Sequence, residues 1–214
     1  MFGIYLTGEV PFRDVYLHGI VRALDGRKMS KSLGNVINPE EYIEEFGVDA
    51  LRMGLVSGTA NGKDFNFPRD KVIGYKKFAN KIWNIGRFVE AGSAKGEVLS
   101  AKNKNTDDEW ILEELNKLIK QVDRDLGNFR FADAGEAIYQ FVWHEFADIY
   151  IEKVKNRKEE ASPTLWKVLT TSLKLLHPFM PFVTEAIWQE LRKSSFAEAS
   201  EDAVLITSKW PVTK

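Results

Sequence analysis

Cysteine is absent from the 214 residues, so no disulfide framework and no thiolate metal site can form. Histidine is scarce. His18, His144 and His177 lie far apart in the chain, and no zinc or other metal site is expected. No apolar run approaches the roughly 20 residues of a membrane span, and the first residues lack the layout of a secretory leader. A cytoplasmic protein with no membrane partner is the expectation. Strong net charge is missing too: 30 Lys and Arg face 31 Asp and Glu, for a formal balance of −1. That near-neutrality hides an uneven distribution. Residues 61–90 carry seven Lys/Arg against three Asp/Glu, and residues 107–125 carry three against seven. A local basic block in a neutral chain is the pattern of one face that meets a polyanion.

What is present is ordinary globular composition, 44% hydrophobic and 29% charged. The length suits one large domain or two small ones. Residues 1–24 read as extended, with Val15 to Val21 like a buried strand. Asp25-Gly26 marks a turn. Asn38-Pro39 reads as an N-cap followed by proline at the first helical position, opening a helix from Pro39 to Phe46 that ends at Gly47. A second short helix runs from Val48 to about Val56 and fades into the small polar stretch 57–62, the first expected domain boundary. Beyond it the pattern is helical. Pro68 opens a helix to about Ala91, and Gly92 to Thr106 reads as a loop. Acids at Asp107, Asp108 and Glu109 begin a helix that ends near Gly127-Asn128. A long helix spans Phe131 to Asn156. Ser162-Pro163 caps another, ending near His177-Pro178, and Pro181 begins the last, to about Lys193. Helices joined by short loops imply an antiparallel bundle over 63–193. Residues 194–214 form a tail, mobile over 194–203, with a possible strand at Val204–Thr207.

Chemistry concentrates in two places. Lys28-Met29-Ser30-Lys31-Ser32, followed by Leu33-Gly34-Asn35, alternates two ammonium groups with two hydroxyls in a short loop. Such a loop can close on one anionic group, and phosphoryl or nucleotidyl transfer is mostly positioning and charge neutralisation of that kind. An exposed basic loop is the plainer alternative. The second place is the helix after Pro68. Val72, Tyr75, Phe78, Ile82, Ile85 and Val89 form an apolar stripe. The opposite face holds Lys76, Lys77, Asn80, Asn84 and Arg87, with Trp83 and Phe88 on its flanks. Cations, amides and flat rings together are what a single-stranded RNA loop requires. A solvated face with two half-buried aromatics fits the same residues. Lys81 lies nearer the stripe and snorkels. His18 reads as a satisfied core histidine. His144-Glu145, with no third partner, reads as structural and not as an acid–base pair.

With these residues in view, the chain resembles the class I aminoacyl-tRNA synthetases. Lys28 to Ser32 is similar to their KMSKS signature. Gly8-Glu9-Val10-Pro11-Phe12, Tyr16-Leu17-His18-Gly19, Gly47-Val48-Asp49-Ala50-Leu51-Arg52 and Leu176-His177-Pro178-Phe179-Met180-Pro181-Phe182 follow further segments of the family. Phe78-Ala79-Asn80-Lys81-Ile82-Trp83-Asn84, with Arg87-Phe88-Val89, favours its valyl branch. The resemblance implies a mainly α fold, with an anticodon-binding bundle preceded by a small α/β piece that ends a Rossmann-type catalytic domain. It implies a loop that binds ATP through Lys28, Met29, Ser30, Lys31 and Ser32. Lys31, assisted by Lys28, would neutralise the leaving pyrophosphate. Anticodon contacts fall to Lys76, Lys77, Asn80, Trp83, Asn84, Arg87 and Phe88, with Phe88 as the stacking candidate. ATP with Mg2+, valine and tRNA(Val) are the implied substrates and partners of a whole, monomeric enzyme. The family's HIGH motif does not occur in the chain, and the expectation is therefore a fragment without activity or cofactor of its own. A free-standing tRNA-binding or regulatory module is the alternative.

Overall fold

The computed structural model describes residues 2–59, 62–67, 69–92, 105–193 and 204–213. The chain begins with α1 (Phe2–Thr7), β1 (Val21–Arg22) and a 3-10 turn (Lys31–Leu33). Helices α2 (Pro39–Phe46) and α3 (Val48–Val56) follow, then β2 (Phe65–Asn66) and α4 (Arg69–Gly92). The bundle continues with α5 (Thr106–Gly127), α6 (Phe131–Gln140), a π-helical stretch (Phe141–Ile151) and α7 (Glu152–Val154). A 3-10 turn (Lys155–Arg157), α8 (Ser162–Leu176), α9 (Pro181–Lys193) and a last 3-10 turn (Leu205–Thr207) complete it. The mainly α expectation holds. Among the described residues the sheet is two parallel strands, with Val21 opposite Phe65 and Arg22 opposite Asn66. No described helix is long and apolar enough to cross a membrane.

Residues before Lys28 depart furthest from expectation. The buried strand over Val15–Val21 is not formed. Val15 is 75% and Leu17 71% exposed, and a helix occupies Phe2–Thr7 where extended chain was expected. A buried parallel strand needs neighbours on its edges and cover on both faces, and β2 offers two residues on one edge. His18 is accordingly exposed, with Nδ1 2.8 Å from the Gly19 carbonyl oxygen, and is not a core histidine.

The helix signals fared better because they are local. Asn38 Oδ1 accepts the Glu40 N–H at 3.0 Å, with Pro39 opening α2. Gly47 separates α2 from α3 at φ +88°, a backbone that glycine adopts without a steric penalty. All six residues of the α4 stripe are buried. Pro68, expected to open α4, and residues 93–104, where a loop is expected, lie outside the described residues. Asn105 caps α5 by accepting the Asp107 N–H at 2.9 Å. Helix α4 packs on α3, α8 and α9, and α5 packs on α6 and α8. Phe78, Phe146, Tyr150, Leu165 and Leu169 lie at the centre.

Three other expectations are corrected. The long helix from Phe131 is not uniformly α. Buried residues recur every five positions, as Phe141, Phe146 and Ile151 and as Val142 and Ala147. In α geometry a step of five rotates by about 140° and carries the stripe out of the core. The i→i+5 bonding of the π stretch keeps it inside. Ser162 does not cap α8. It is the first residue of that helix, preceded by Ala161, and among the described residues its buried Oγ has no hydrogen-bond partner. Val204–Thr207 is no strand; Leu205–Thr207 is a 3-10 turn, and neither strand of the sheet reaches it. Instead the buried Leu205 donates its N–H to Glu185 Oε2 at 2.9 Å, and Trp210 Nε1 donates to Asp123 Oδ1 at 2.6 Å. The tail is thereby strapped across α9 and α5. The mobile stretch expected at 194–203 lies outside the described residues.

One joint ties the front of the chain to the back of the bundle. Asp49 on α3, 7% exposed, accepts the N–H groups of Phe182 and Val183 at 3.1 and 2.6 Å, at the start of α9. One turn on, Arg52 donates to the carbonyls of Pro178 and Phe179 at 2.9 and 3.2 Å. The acid satisfies donors orphaned at a helix start, and the base satisfies carbonyls beyond the end of α8. The two chain segments Gly47–Arg52 and Leu176–Phe182 are thus two halves of one clasp.

Candidate nucleic-acid interface

Helix α4 buries its stripe and turns its other side outward. Lys77, Asn80, Asn84 and Arg87 are exposed there, and among the described residues none of the four has a hydrogen-bond or ion-pair partner. Trp83 is 37% exposed on the flank. Of the expected face, Lys76 leaves this group, and Lys81, expected nearer the stripe, is likewise engaged. Lys76 is exposed but donates to the Glu45 carbonyl at 2.6 Å, at the end of α2. Lys81 pairs with Asp148 at 2.6 Å and lies 4.1 Å from the Trp143 ring centroid. The Lys81 ammonium, helped by His144, holds the Asp148 carboxyl below the usual range. His144 Nδ1 lies 3.2 Å from Asp148 Oδ2, so among the described residues its partner is Asp148 and not the adjacent Glu145.

Two hollows open along the outer end of α4. The smaller, of ≈170 Å³, lies between α4 and α9, with Trp83, Gly86 and Arg87 on one side and Ile187, Glu190 and Leu191 on the other. Gly86 is what lets the helices approach, since a Cβ there would meet Ile187 Cγ2 at 2.8 Å. The larger, of ≈620 Å³, is bounded by Asn84, Arg87, Phe88, Ala91 and Lys158. Glu90 borders both.

Lys158 was not legible as a site residue, because it is 70 positions from Phe88. Its ammonium lies 4.2 Å from the Phe88 ring centroid, and its methylenes fill the space a Gly92 side chain would need. Burial lowers its pKa below the usual lysine value. The neighbouring Arg157 sets its place. Arg157 donates to both Asp108 carboxylate oxygens at 2.6 and 3.1 Å, and Tyr150 donates to the same carboxylate at 2.7 Å. With one face of Phe88 taken by a cation, Trp83 offers the more open ring for stacking.

The lysine loop is a separate construction and borders neither hollow. Arg22 and Lys28 bridge antiparallel around the Asp25-Gly26 turn, with Gly26 at φ +80°. Asp64 accepts the Ile20 N–H at 2.9 Å and the Arg22 Nε–H at 2.8 Å, and these bonds hold its carboxyl below the usual range. Asn35 then closes the loop. Its Oδ1 accepts the Ser30 N–H at 2.8 Å and its Nδ2 donates to the Lys28 carbonyl at 3.2 Å. Ser30 Oγ and Ser32 Oγ are 2.8 Å apart. Met29 packs against the core, while Lys28 and Lys31 are exposed with no ion-pair partner among the described residues. The hydroxyls and free ammonium groups fit a polyphosphate. No group of three His, Asp or Glu suited to a metal ion occurs among the described residues.

Comparison with known proteins places the chain among tRNA ligases, with the α4 face in the interval between the two matching family profiles. A family profile described as the anticodon-binding domain of tRNA ligase covers residues 108–214, and one for class I tRNA synthetases (I, L, M and V) covers residues 1–68. A valine–tRNA ligase of Clostridium acetobutylicum is 43% identical over 98% of this chain, and one of Bacillus cereus is 43% identical over 99%. The chain spans about a quarter (24%) of the length of these relatives. Among solved structures, the Agrobacterium radiobacter LeuRS in a ternary complex with tRNA and LeuAMS aligns over 94% of the chain with a TM-score of 0.74 at 24% identity. Mycobacterium tuberculosis methionyl-tRNA synthetase, in complex with methionyl-adenylate, aligns over 88% with a TM-score of 0.63 at 22% identity. At that identity the two structures speak for the fold.

Proposed function

From the premise that the chain belongs to the class I tRNA ligases that carry this anticodon-binding domain, we infer that it is the anticodon-binding part of a valine–tRNA ligase, with that enzyme's ATP loop attached. Residues 1–62 close the catalytic domain, 63–193 form the anticodon-binding bundle and 194–214 the strapped tail. The observation that carries this reading is the unpaired Lys77, Asn80, Asn84 and Arg87 beside the exposed Trp83. Two cations, two amides and a flat ring on one open helix face supply the phosphate, base-edge and stacking contacts that an unpaired RNA loop takes.

In the whole enzyme valine and ATP form an adenylate with release of pyrophosphate, and valine then passes to the tRNA end. Lys31, with Lys28, stabilises the charge that builds on the leaving pyrophosphate. Ser30 and Ser32 donate from the loop, which Asn35 keeps in shape. Mg2+ would arrive held by the nucleotide's own phosphates. The partner is tRNA(Val), and the enzyme acts as a monomer in the cytoplasm.

Binding of this chain to valine tRNA, compared across a salt series with a transcript carrying a swapped anticodon, tests the reading. Preference for the valine anticodon is expected. Equal binding to both, with steep salt dependence, would reduce the bundle to a phosphate grip and overturn it. Lys31→Ala in an enzyme with its complete catalytic domain should abolish valine-dependent pyrophosphate exchange and leave anticodon binding unchanged. Surviving exchange would remove Lys31 from its role.

A further inference from the structure

The lysine loop is fastened at its middle as well as at its ends. Between Lys28 and Ser30 the Met29 side chain packs against the hydrophobic core. The two peptide groups that flank Met29 are both held by one half-buried side chain. Asn35 donates from Nδ2 to the Lys28 carbonyl at 3.2 Å and accepts the Ser30 N–H on Oδ1 at 2.8 Å. A carboxamide can hold both groups because it carries a donor and an acceptor on one carbon, whereas a carboxylate of the same length only accepts. Beyond the clip the chain turns at once. Leu33 N–H donates to the Ser30 carbonyl at 3.1 Å and Gly34 N–H to the Lys31 carbonyl at 3.2 Å. Gly34, at φ +63°, turns the backbone so that Asn35 reaches back under the loop. Lys28 and Lys31 leave the chain just before and just after the fastened segment, both exposed and without an ion-pair partner among the described residues.

We propose that Asn35 is a positioning residue of the adenylate-forming step, which clips Lys28 to Ser32 into one preformed body so that both ammonium groups reach the polyphosphate together. The inference rests on the ATP-loop reading above. The Met29 side chain is taken up by the core, and its part is that of the anchor to which the clip is tied. A backbone ordered beforehand avoids the loss of chain entropy that closing a slack loop would bring. The benefit falls where charge builds on the leaving pyrophosphate, since groups already in place stabilise that charge without reorganising. Loss of the clip therefore lowers turnover more than it weakens ATP binding.

The test has two parts. Amide hydrogen–deuterium exchange, read by NMR on this chain, compares the wild type with Asn35→Ala. The Ser30 amide should be protected in the wild type and lose about tenfold of that protection in the variant, while the amides of α4 and α8 keep theirs. In an enzyme with its complete catalytic domain, Asn35→Ala should lower kcat for valine-dependent pyrophosphate exchange by about 10- to 100-fold, with KM for ATP within about threefold of the wild type. Met29→Ala should behave alike, and the double variant should lose no more than the worse single one, because anchor and clip act as a unit. Unchanged protection at Ser30 would mean that Asn35 does not hold the loop, and unchanged kcat would mean that its hold is idle in the reaction; either overturns the proposal. A rise in KM alone would make Asn35 an ATP-binding group, additive losses would make Met29 and Asn35 separate supports, and lost protection throughout α4 and α8 would make Asn35 a residue of the fold. Each of these overturns it as well. The reading beneath it fails differently, by pyrophosphate exchange that survives Lys31→Ala.

Discussion

Lys77 and Lys158 are both cations of the proposed RNA face, yet they are held differently and should fail differently. Lys77 is exposed and unpaired. Lys77→Ala should weaken binding to all RNAs about equally and lower the slope of log K against log salt by about one unit, as loss of one phosphate contact does. Lys158 is wedged over Phe88 and against Gly92, so its stem packs while its head faces the hollow. Lys158→Met keeps most of the packing and removes the charge. RNA affinity should fall several-fold while the thermal midpoint stays within a few degrees. A large loss of thermal stability would mean that Lys158 serves the fold and not the RNA.

At the scale of elements, the helices depend on close fits that single side chains can break. Phe78 is fully buried on α4 against Tyr139, and Phe78→Ala should cost about 3–5 kcal/mol in a denaturant titration. Gly86→Val should push α4 from α9 and cost about 1–3 kcal/mol. It should also reshape the smaller hollow and weaken RNA binding, whereas Gly74→Ala, with open space at its Cβ, should do neither. These contrasts also explain how far the sequence could be read. Helix starts at Asn38 and Pro181, the α4 stripe and the lysine loop were legible because cap, period and motif are written within a few residues. The strand at Val15–Val21 was misread because burial depends on neighbours that local apolarity does not specify. The π stretch was missed because a five-residue recurrence looks like a slightly irregular α stripe. In the site, the residues of α4 were legible as one face of one helix. Lys158 and the Glu190 side of the smaller hollow were not, since they come from other elements.

At the scale of the whole molecule, the corner between α8 and α9 should set an acid limit. His177 sits there with Nδ1 2.8 Å from Thr184 Oγ1, and burial lowers its pKa below the ordinary histidine value. The folded state therefore favours the neutral ring. Its contribution to stability is present above the unfolded-state value, near 6.5, and is lost as pH falls through the lower folded-state value. Stability should decline from pH 7 to pH 5, and His177→Gln should flatten that decline; an unchanged slope would assign it to other groups. The clasp at the same corner has a temporal consequence. Asp49 and Arg52 meet partners 126 to 134 residues further along the chain. During synthesis α3 leaves the ribosome with an uncompensated acid and base, and waits for most of the bundle to be made before either is satisfied. Contacts so distant in sequence form late, because loop closure must precede them. Helix α3 thus gains its final anchorage only after the far end of the bundle has folded, so an incomplete bundle leaves the front half of the clasp unfinished.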